Sequence, residues 1–405
     1  MADEIIQRIL AGSEPDRVAL DVGADITEIE PRDYPLTVLL RRLRGRRRVT
    51  TELEFFHFER DVLPRTDTVT QEATASDTTI HVAIGGIWQK YDVIKVPRTG
   101  ENMLVTNVTI NPDGTGVLTV VRGWGSTSPA AINQNELIDQ LGSATPEVSG
   151  ARVTPVTRAK RVYNNVQIFR RGVRVSKIAQ AIEYLAGEKP RDDARARKAR
   201  EHQLEMEASF WFGEAYIDTT TDETPILATR GVMSFLRGYT RDGIPYEGTP
   251  HVLDVSGSGI LNFYDFIELT AELSRHGAHT KVIFASPNFL SIAAKWAQLY
   301  QNVFRTQSDT IFGIRIERVF TPHFPSGLPI VPVWMFSDFG YDKLAVILDM
   351  SQLRYRPLQG WDTKFFPDVG ARDVTEWLDE YITVAGLEFR YPRAHAIIEG
   401  FTDAS

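Results

Sequence analysis

The chain has 405 residues, 42% of them hydrophobic and 24% charged, with a net charge of −8. That is globular composition, with material for two or three packed units. The absence of cysteine excludes disulfides, thiolate zinc sites and cysteine nucleophiles, and the acidic balance argues against a protein that coats nucleic acid.

Residues 1–35 are thinly patterned and broken by Pro15, Pro31 and Pro35. They read as an arm, with a short helix over 4–10 and no apolar core of signal-peptide length. No run in the chain reaches the roughly 18 apolar residues of a membrane helix. Residues 34–48 pass from apolar sequence into a cluster of arginines around Gly45. Residues 51–63 (TELEFFHFERDVL) begin with Leu53 and Phe55 alternating with Glu52 and Glu54, a strand pattern. Residues 161–175 (RVYNNVQIFRRGVRV) have the same character, with Val162, Val166 and Ile168 on one parity. Each segment spans about 40 Å when extended, and the two are expected to pair as one long arm.

Residues 74–145 are rich in Thr, Val, Gly and Asn and break into short strands at 79–83, 91–96, 102–109 and 116–122. Asn111-Pro112-Asp113-Gly114 supplies a hairpin turn. This rhythm predicts a small β-barrel or sandwich at the tip of the long hairpin.

The best helix is expected over 190–215. Pro190 suits its first turn, Asp192 and Asp193 complement its dipole, and Leu204, Ala208, Trp211 and Ala215 form an apolar stripe. A Gly- and Pro-rich loop over 219–258 precedes an α+β pattern. Phe263, Phe266, Ile267, Thr270 and Leu273 mark a helix, and 281–285 a strand. Ser286 as N-cap and Pro287 open a second helix, and strands follow at 311–320, 330–336 and 344–348. Segments 353–356, 381–390 and 394–398 read as strands of another sheet.

Fragments of catalytic motifs fail on their partners. Asp338-Phe339-Gly340 matches a kinase tripeptide, but Gly85 follows Val82-Ala83-Ile84 where lysine is required, and no His-Arg-Asp occurs. Gly257-Ser258-Gly259 lacks the lysine of a phosphate loop and reads as a turn. His276 and His279 have no evident third ligand, and Gly277 marks a helix end, where histidine is common. Trp88, Tyr91 and Trp124 could offer stacking faces to a carbohydrate or nucleic acid, or simply pack a core. No catalytic, cofactor-binding or metal residue is assigned, and no cofactor is expected.

The order of parts and three stretches of wording carry a family resemblance. These are LLRRLRGRRRVTTELEFFHFERDVL (39–63), VYNNVQIFRRGVRVSKIAQAI (162–182) and KVIFASPNFLSIAAKWA (281–297), joined by YDVIKV and LTVVRGWGSTSPAAI in the middle segment. The chain resembles the major capsid proteins of tailed bacteriophages, which have the Hong Kong 97 (HK97) type of α+β fold. The resemblance implies an N-terminal arm over 1–50, an E-loop hairpin over 51–73 and 146–178, and an all-β insertion over 74–145. It further implies a P-domain over 179–258 with a spine helix at about 190–215, an A-domain over 259–350, and P-domain return strands over 351–405.

The resemblance also implies a structural, non-catalytic protein that forms an icosahedral shell of hexamers and pentamers around double-stranded DNA. Assembly in the host cytoplasm, a scaffolding protein, a portal, decoration proteins and weak inner-surface contact with DNA belong to the same implication, and no membrane does. An encapsulin-like nanocompartment, or a carbohydrate- or nucleic-acid-binding protein acting through the β insertion, are the alternatives.

The subunit-interface candidates are charged. Arg41, Arg42, Arg44, Arg46, Arg47 and Arg48 can meet DNA or acidic scaffold, pair with Glu52, Glu54 and Glu59 of neighbouring subunits, or remain solvated. Arg60 and Arg161 lie within the hairpin segments, and Arg170, Arg171 and Arg174 on its return strand are expected to pair on an adjacent subunit.

Overall fold

The computed structural model describes residues 34–404 except 44, 61, 149, 152–154, 182–189, 223, 242–243, 247, 300–308, 312–313 and 371–373. The helix expected over 4–10 and the candidate Arg44 lie outside the described residues. Strands β1 to β9 are Glu54–Glu59, Thr66–Thr68, Thr79–Val82, Asp92–Lys95, Asn102–Ile110, Gly116–Val121, Leu137–Ser143, Lys160–Asn165 and Gln167–Ser176. Strands β10 to β17 are Tyr216–Asp218, Ile226–Ala228, Tyr239–Arg241, Ile244–Tyr246, His251–Asp254, Ile260–Leu261, Lys281–Ala285 and Asp309–Ile311. Strands β18 to β25 are Ile314–Thr321, Phe324–Pro332, Leu344–Asp349, Leu353–Pro357, Lys364–Phe366, Glu376–Phe389, Ala396–Glu399 and Asp403–Ala404. The helices are α1 (Pro35–Arg42), α2 (Lys177–Ala181), α3 (Pro190–Phe212), α4 (Val232–Arg237), α5 (Phe263–Ser274), α6 (Pro287–Leu299) and α7 (Met335–Asp338).

Residues 58–161 form one compact unit. Its sheet runs β2-β7-β4-β5-β6-β3. The Val69↔Val82 bridge, with Ala83 N–H donating to Thr68 O and Thr70 N–H to His81 O, joins the first strand to the last. The sheet is therefore a closed six-stranded barrel with no free edge to aggregate. Alternate residues Ile80, Val82, Ile94, Val96, Met103, Val105, Leu118 and Val120 fill it. Gly85 stands against Gly116, and a Cβ on either would come within 2.7 Å of the other's backbone. The position that breaks the kinase-like fragment is thus glycine for a packing reason.

The second unit holds the described residues up to His57 and from Val162 onward. A seven-stranded sheet of order β14-β24-β20-β16-β19-β18-β17 carries α5 and α6, whose apolar faces bury Phe266, Leu273, Phe289 and Trp296. A second sheet is built on β23, which pairs with β21, β22 and β9. Against it packs α3 through Met206, Phe210 and Trp211, all fully buried. The fold is α+β, and a hairpin, one long charged helix, a compact α+β unit and late return strands follow in the order that the resemblance implies.

Four local expectations are corrected. Residues 161–175 are not one arm: β8 pairs with β1, but after Val166 the chain becomes β9, which lies antiparallel along β23 from Gln167↔Ala385 to Ser176↔Glu376. Burial explains the change, since Phe169 and Val173 need the α3-covered sheet for cover. The 394–398 segment joins the seven-stranded sheet as β24, between β14 and β20, because Ile397 and Ile398 fill its two core layers. Ser286 does not cap α6 with its side chain; its hydroxyl donates to Asp342 O at 2.6 Å. The long helix ends at Phe212, leaving Ala215 outside, and the chain turns at Gly213, where a Cβ would sit 2.5 Å from both Ser209 O and Thr229 O.

Candidate assembly site

The sheet around β23 has two faces, and side-chain alternation assigns each charged residue to one of them. On the face toward α3, Asp379 is buried and accepts from Arg191, from Arg195 Nε at 2.7 Å and from Asp368 N–H at 2.8 Å. Burial alone would raise its pKa, but these donors and the Arg191 charge hold it well below the usual carboxylate range. His202 of α3 is fully buried, with Nε2 2.7 Å from Thr383 Oγ1. Burial, then the charges of Arg41 and Arg171, push its pKa down to about 4. Asp362 gathers Arg41 at 2.6 Å, Arg47 at 2.9 Å and the Tyr355 hydroxyl at 2.7 Å. Arg171 reaches Glu205 of α3 at 2.7 Å.

Helix α1 is fixed to the same helix. The buried Glu207 carboxylate accepts from Leu36 N–H at 2.9 Å, Thr37 N–H at 2.7 Å, the Thr37 hydroxyl at 2.6 Å and Trp211 Nε1 at 2.9 Å. It caps in trans the N-terminus of a helix whose own N-cap, Tyr34, provides no side-chain bond. Burial in apolar surroundings raises the Glu207 pKa against those donors.

The opposite face begins with matched charges. Arg170 forks onto Glu380 at 2.7 and 2.9 Å, and Arg174 lies 3.3 Å from Glu376. An apolar strip of Phe55, Val166, Leu227 and Val384 follows. Gly386 makes room for it, because a Cβ there would meet the Phe55 ring at 2.8 Å. Beyond lies Glu388, fully buried by side chain, with Arg390 bonded to it, Arg356 at 3.1 Å and Arg354 at 3.9 Å. Residues 46–50 run parallel to β21, with Arg48 N–H donating to Tyr355 O and Tyr355 N–H to Arg46 O. Since Arg47 pairs with Tyr355 on the α3 side, Arg46 and Arg48 fall on the Glu388 side.

The sequence candidates thus separate. Arg41, Arg47 and Arg171 are used toward α3. Arg170 and Arg174, expected to pair across to a neighbour, have carboxylates within their own chain, because β9 lies beside the strand that bears Glu376 and Glu380. Arg42 is exposed in the last turn of α1. Glu54 meets Arg241 at 2.9 Å, Glu52 is exposed and Glu59 is half-buried at the end of β1. Arg60 is exposed, and Arg161 lies over the Phe58 ring at 5.6 Å. Sequence reasoning passed over Arg354, Arg356, Glu388 and Arg390. The signal was present: Arg354, Arg356, Glu388 and Arg390 each alternate with the buried residues Leu353, Tyr355, Leu387 and Phe389.

Among the described residues no group of three or more His, Asp or Glu could hold an ion. His276 bonds the Tyr391 hydroxyl at 3.0 Å and stacks on His251, whereas His279 faces Phe324. Trp88 is buried in the barrel, its Nε1 donating to Asp67 at 2.8 Å, while Trp124 is exposed.

A family model described as "SU10 major capsid protein" matches residues 9–402. The chain belongs to the SU10 major capsid protein family. Among curated proteins it is similar to the major capsid protein of Pseudomonas phage PaMx41, 24% identical over 316 residues, covering 76% of this chain and 71% of that one. Among solved structures it is similar to the capsid of Myoviridae phage XM1, at TM-score 0.45 and 10% identity, with 96% and 99% of the two chains covered. The cyanophage A-1(L) capsid scores 0.43 at 12% identity, over 65% of this chain and 85% of that one. This capsid protein is a phage shell component that assembles with copies of itself.

Proposed function

We propose that the chain is a non-catalytic shell subunit, assembled in the host cytoplasm around double-stranded DNA with a scaffolding protein, a portal and decoration proteins. In this reading residues 51–73 and 146–178 act as the E-loop and the β insertion adds contacts on the shell. The P-domain (179–258 and 351–405) and A-domain (259–350) build the capsomer. The observation that carries it is the family match across nearly the whole chain. Support also comes from the β1–β8 ribbon, which buries Phe55 and His57 yet leaves Phe56 and Phe58 exposed at 48% and 61%. Large apolar side chains left on a thin ribbon suit burial against another molecule. DNA contact is weak in this reading, because the chain is acidic and such contact depends on local cationic surface.

The test is to express the chain with and without the genes that neighbour it and examine the products by light scattering and negative-stain microscopy. Closed shells of uniform size are expected. Small species under every condition would contradict the reading.

A further inference from the structure

Arg354, Arg356 and Arg390 share one carboxylate, Glu388, and Arg46 and Arg48 lie on the same side of the sheet close enough to repel them, so among the described residues this cluster of five arginines has one carboxylate and a surplus of four positive charges. We propose that this arginine face is an oxyanion-binding site, filled in the assembled shell by carboxylates of a second copy of this chain. The proposal rests on reading the chain as a shell subunit.

The site is built rather than incidental. Arg356 is 8% exposed, lies over the Phe55 ring at 4.9 Å, and its Nε has no hydrogen-bond partner. Arg354 Nε is likewise buried without a partner. Arg46 is tied by its Nη1 to Ser351 O at 2.8 Å. Burial first, with repulsion from the neighbouring guanidiniums, lowers the pKa of both Arg354 and Arg356 despite Glu388. Guanidiniums held in place with donors unspent bind oxyanions in forked geometry at little entropic cost. The matched pairs Arg170–Glu380 and Arg174–Glu376 on the same face show that this sheet balances its charges elsewhere.

Charge decides between a protein partner and nucleic acid. The chain's −8 already includes the four unmatched positive charges, so everything outside this cluster carries −12. A duplex is a continuous line of charge longer than the patch, and the chain it would lie along is acidic overall. Side-chain carboxylates of another copy arrive singly and fit between the arginines.

The experiment compares Arg46→Glu with Arg48→Glu, made together, against the control pair Arg170→Ala with Arg174→Ala. Circular dichroism and thermal melting confirm that both variants fold. The first pair should lower the yield of assembled particles about tenfold, as expected for central interface charges, and the control should leave it unchanged. A second arm titrates dispersed wild-type chain with a decaglutamate peptide and with a short DNA duplex, read by fluorescence anisotropy. Decaglutamate should bind, and about tenfold more weakly to the Arg46/Arg48 variant. Unchanged assembly of that variant would overturn the proposal. So would duplex binding that depends on these arginines while decaglutamate binding does not, which would assign the site to nucleic acid. A wild-type chain that never forms shells would instead defeat the shell reading, and the decaglutamate titration would still decide the oxyanion site.

Discussion

The two faces of the sheet around β23 use the same residue type for opposite ends. Toward α3, arginines are consumed: Arg191 and Arg195 by Asp379, Arg41 and Arg47 by Asp362, Arg171 by Glu205. On the other face Arg170 and Arg174 are matched, but Arg354, Arg356 and Arg390 share Glu388, with Arg46 and Arg48 beside them. One step along a strand moves a side chain from the first face to the second. Arg47 therefore stabilises its own chain while Arg46 and Arg48, its neighbours, face the other way, toward the site proposed for a partner's carboxylates. A run of arginines in sequence is two surfaces in space, one turned toward α3 and one turned away from it.

The comparison can be broken most severely at Asp379. Asp379→Ala would leave Arg191 and Arg195 partly buried around an empty centre, and should cost about 3–5 kcal/mol in chemical denaturation. A loss under 1 kcal/mol would mean that the α3 face is not held by its charges. His202 gives a pH test of the same face. Its pKa in the fold, about 4, is below the ordinary 6.5. The unfolded chain therefore binds more protons between these values, and this contribution is complete above pH 6.5 and lost as pH falls toward 4. Stability measured across that window should fall by about 3 kcal/mol more in the wild type than in His202→Gln. Glu207→Gln keeps the shape but presents an amide to donors that need an acceptor. It should cost about 2 kcal/mol and loosen α1, visible as faster hydrogen exchange over 36–42. The smallest effect belongs to the matched pairs of the open face: Arg170→Ala should change stability by no more than about 0.5 kcal/mol, since the Arg170 side chain is 61% exposed.

Much of the fold was legible because it is local. Four of the six barrel strands, β3 to β6, and the Asn111–Gly114 turn announce themselves by alternation and turn chemistry, and so does strand β16, which occupies the predicted 281–285; β2 and β7 were not read from the sequence. Pro190 starts α3 as expected. What could not be read was pairing between distant segments. Nothing near Val166 says that the chain leaves its ribbon to lie beside residues 376–385, some two hundred positions later. The same blindness hid the arginine face. Arg46 and Arg48 were visible as a cluster, but Arg354, Arg356 and Arg390 join them only through the parallel bridge of Arg47 to Tyr355 and the register of β21 on β23. The buried acids Glu207 and Asp379 were missed for a related reason: a carboxylate in a charged helix or an alternating strand looks solvated until its donors are known.

The most direct measurement is an electron-microscopy reconstruction of the assembled particle at side-chain resolution, centred on Arg46, Arg48, Arg354, Arg356 and Arg390. The account predicts carboxylates of an adjacent copy within hydrogen-bonding distance of these guanidiniums. A face left open to solvent, or lying against nucleic acid, would contradict it.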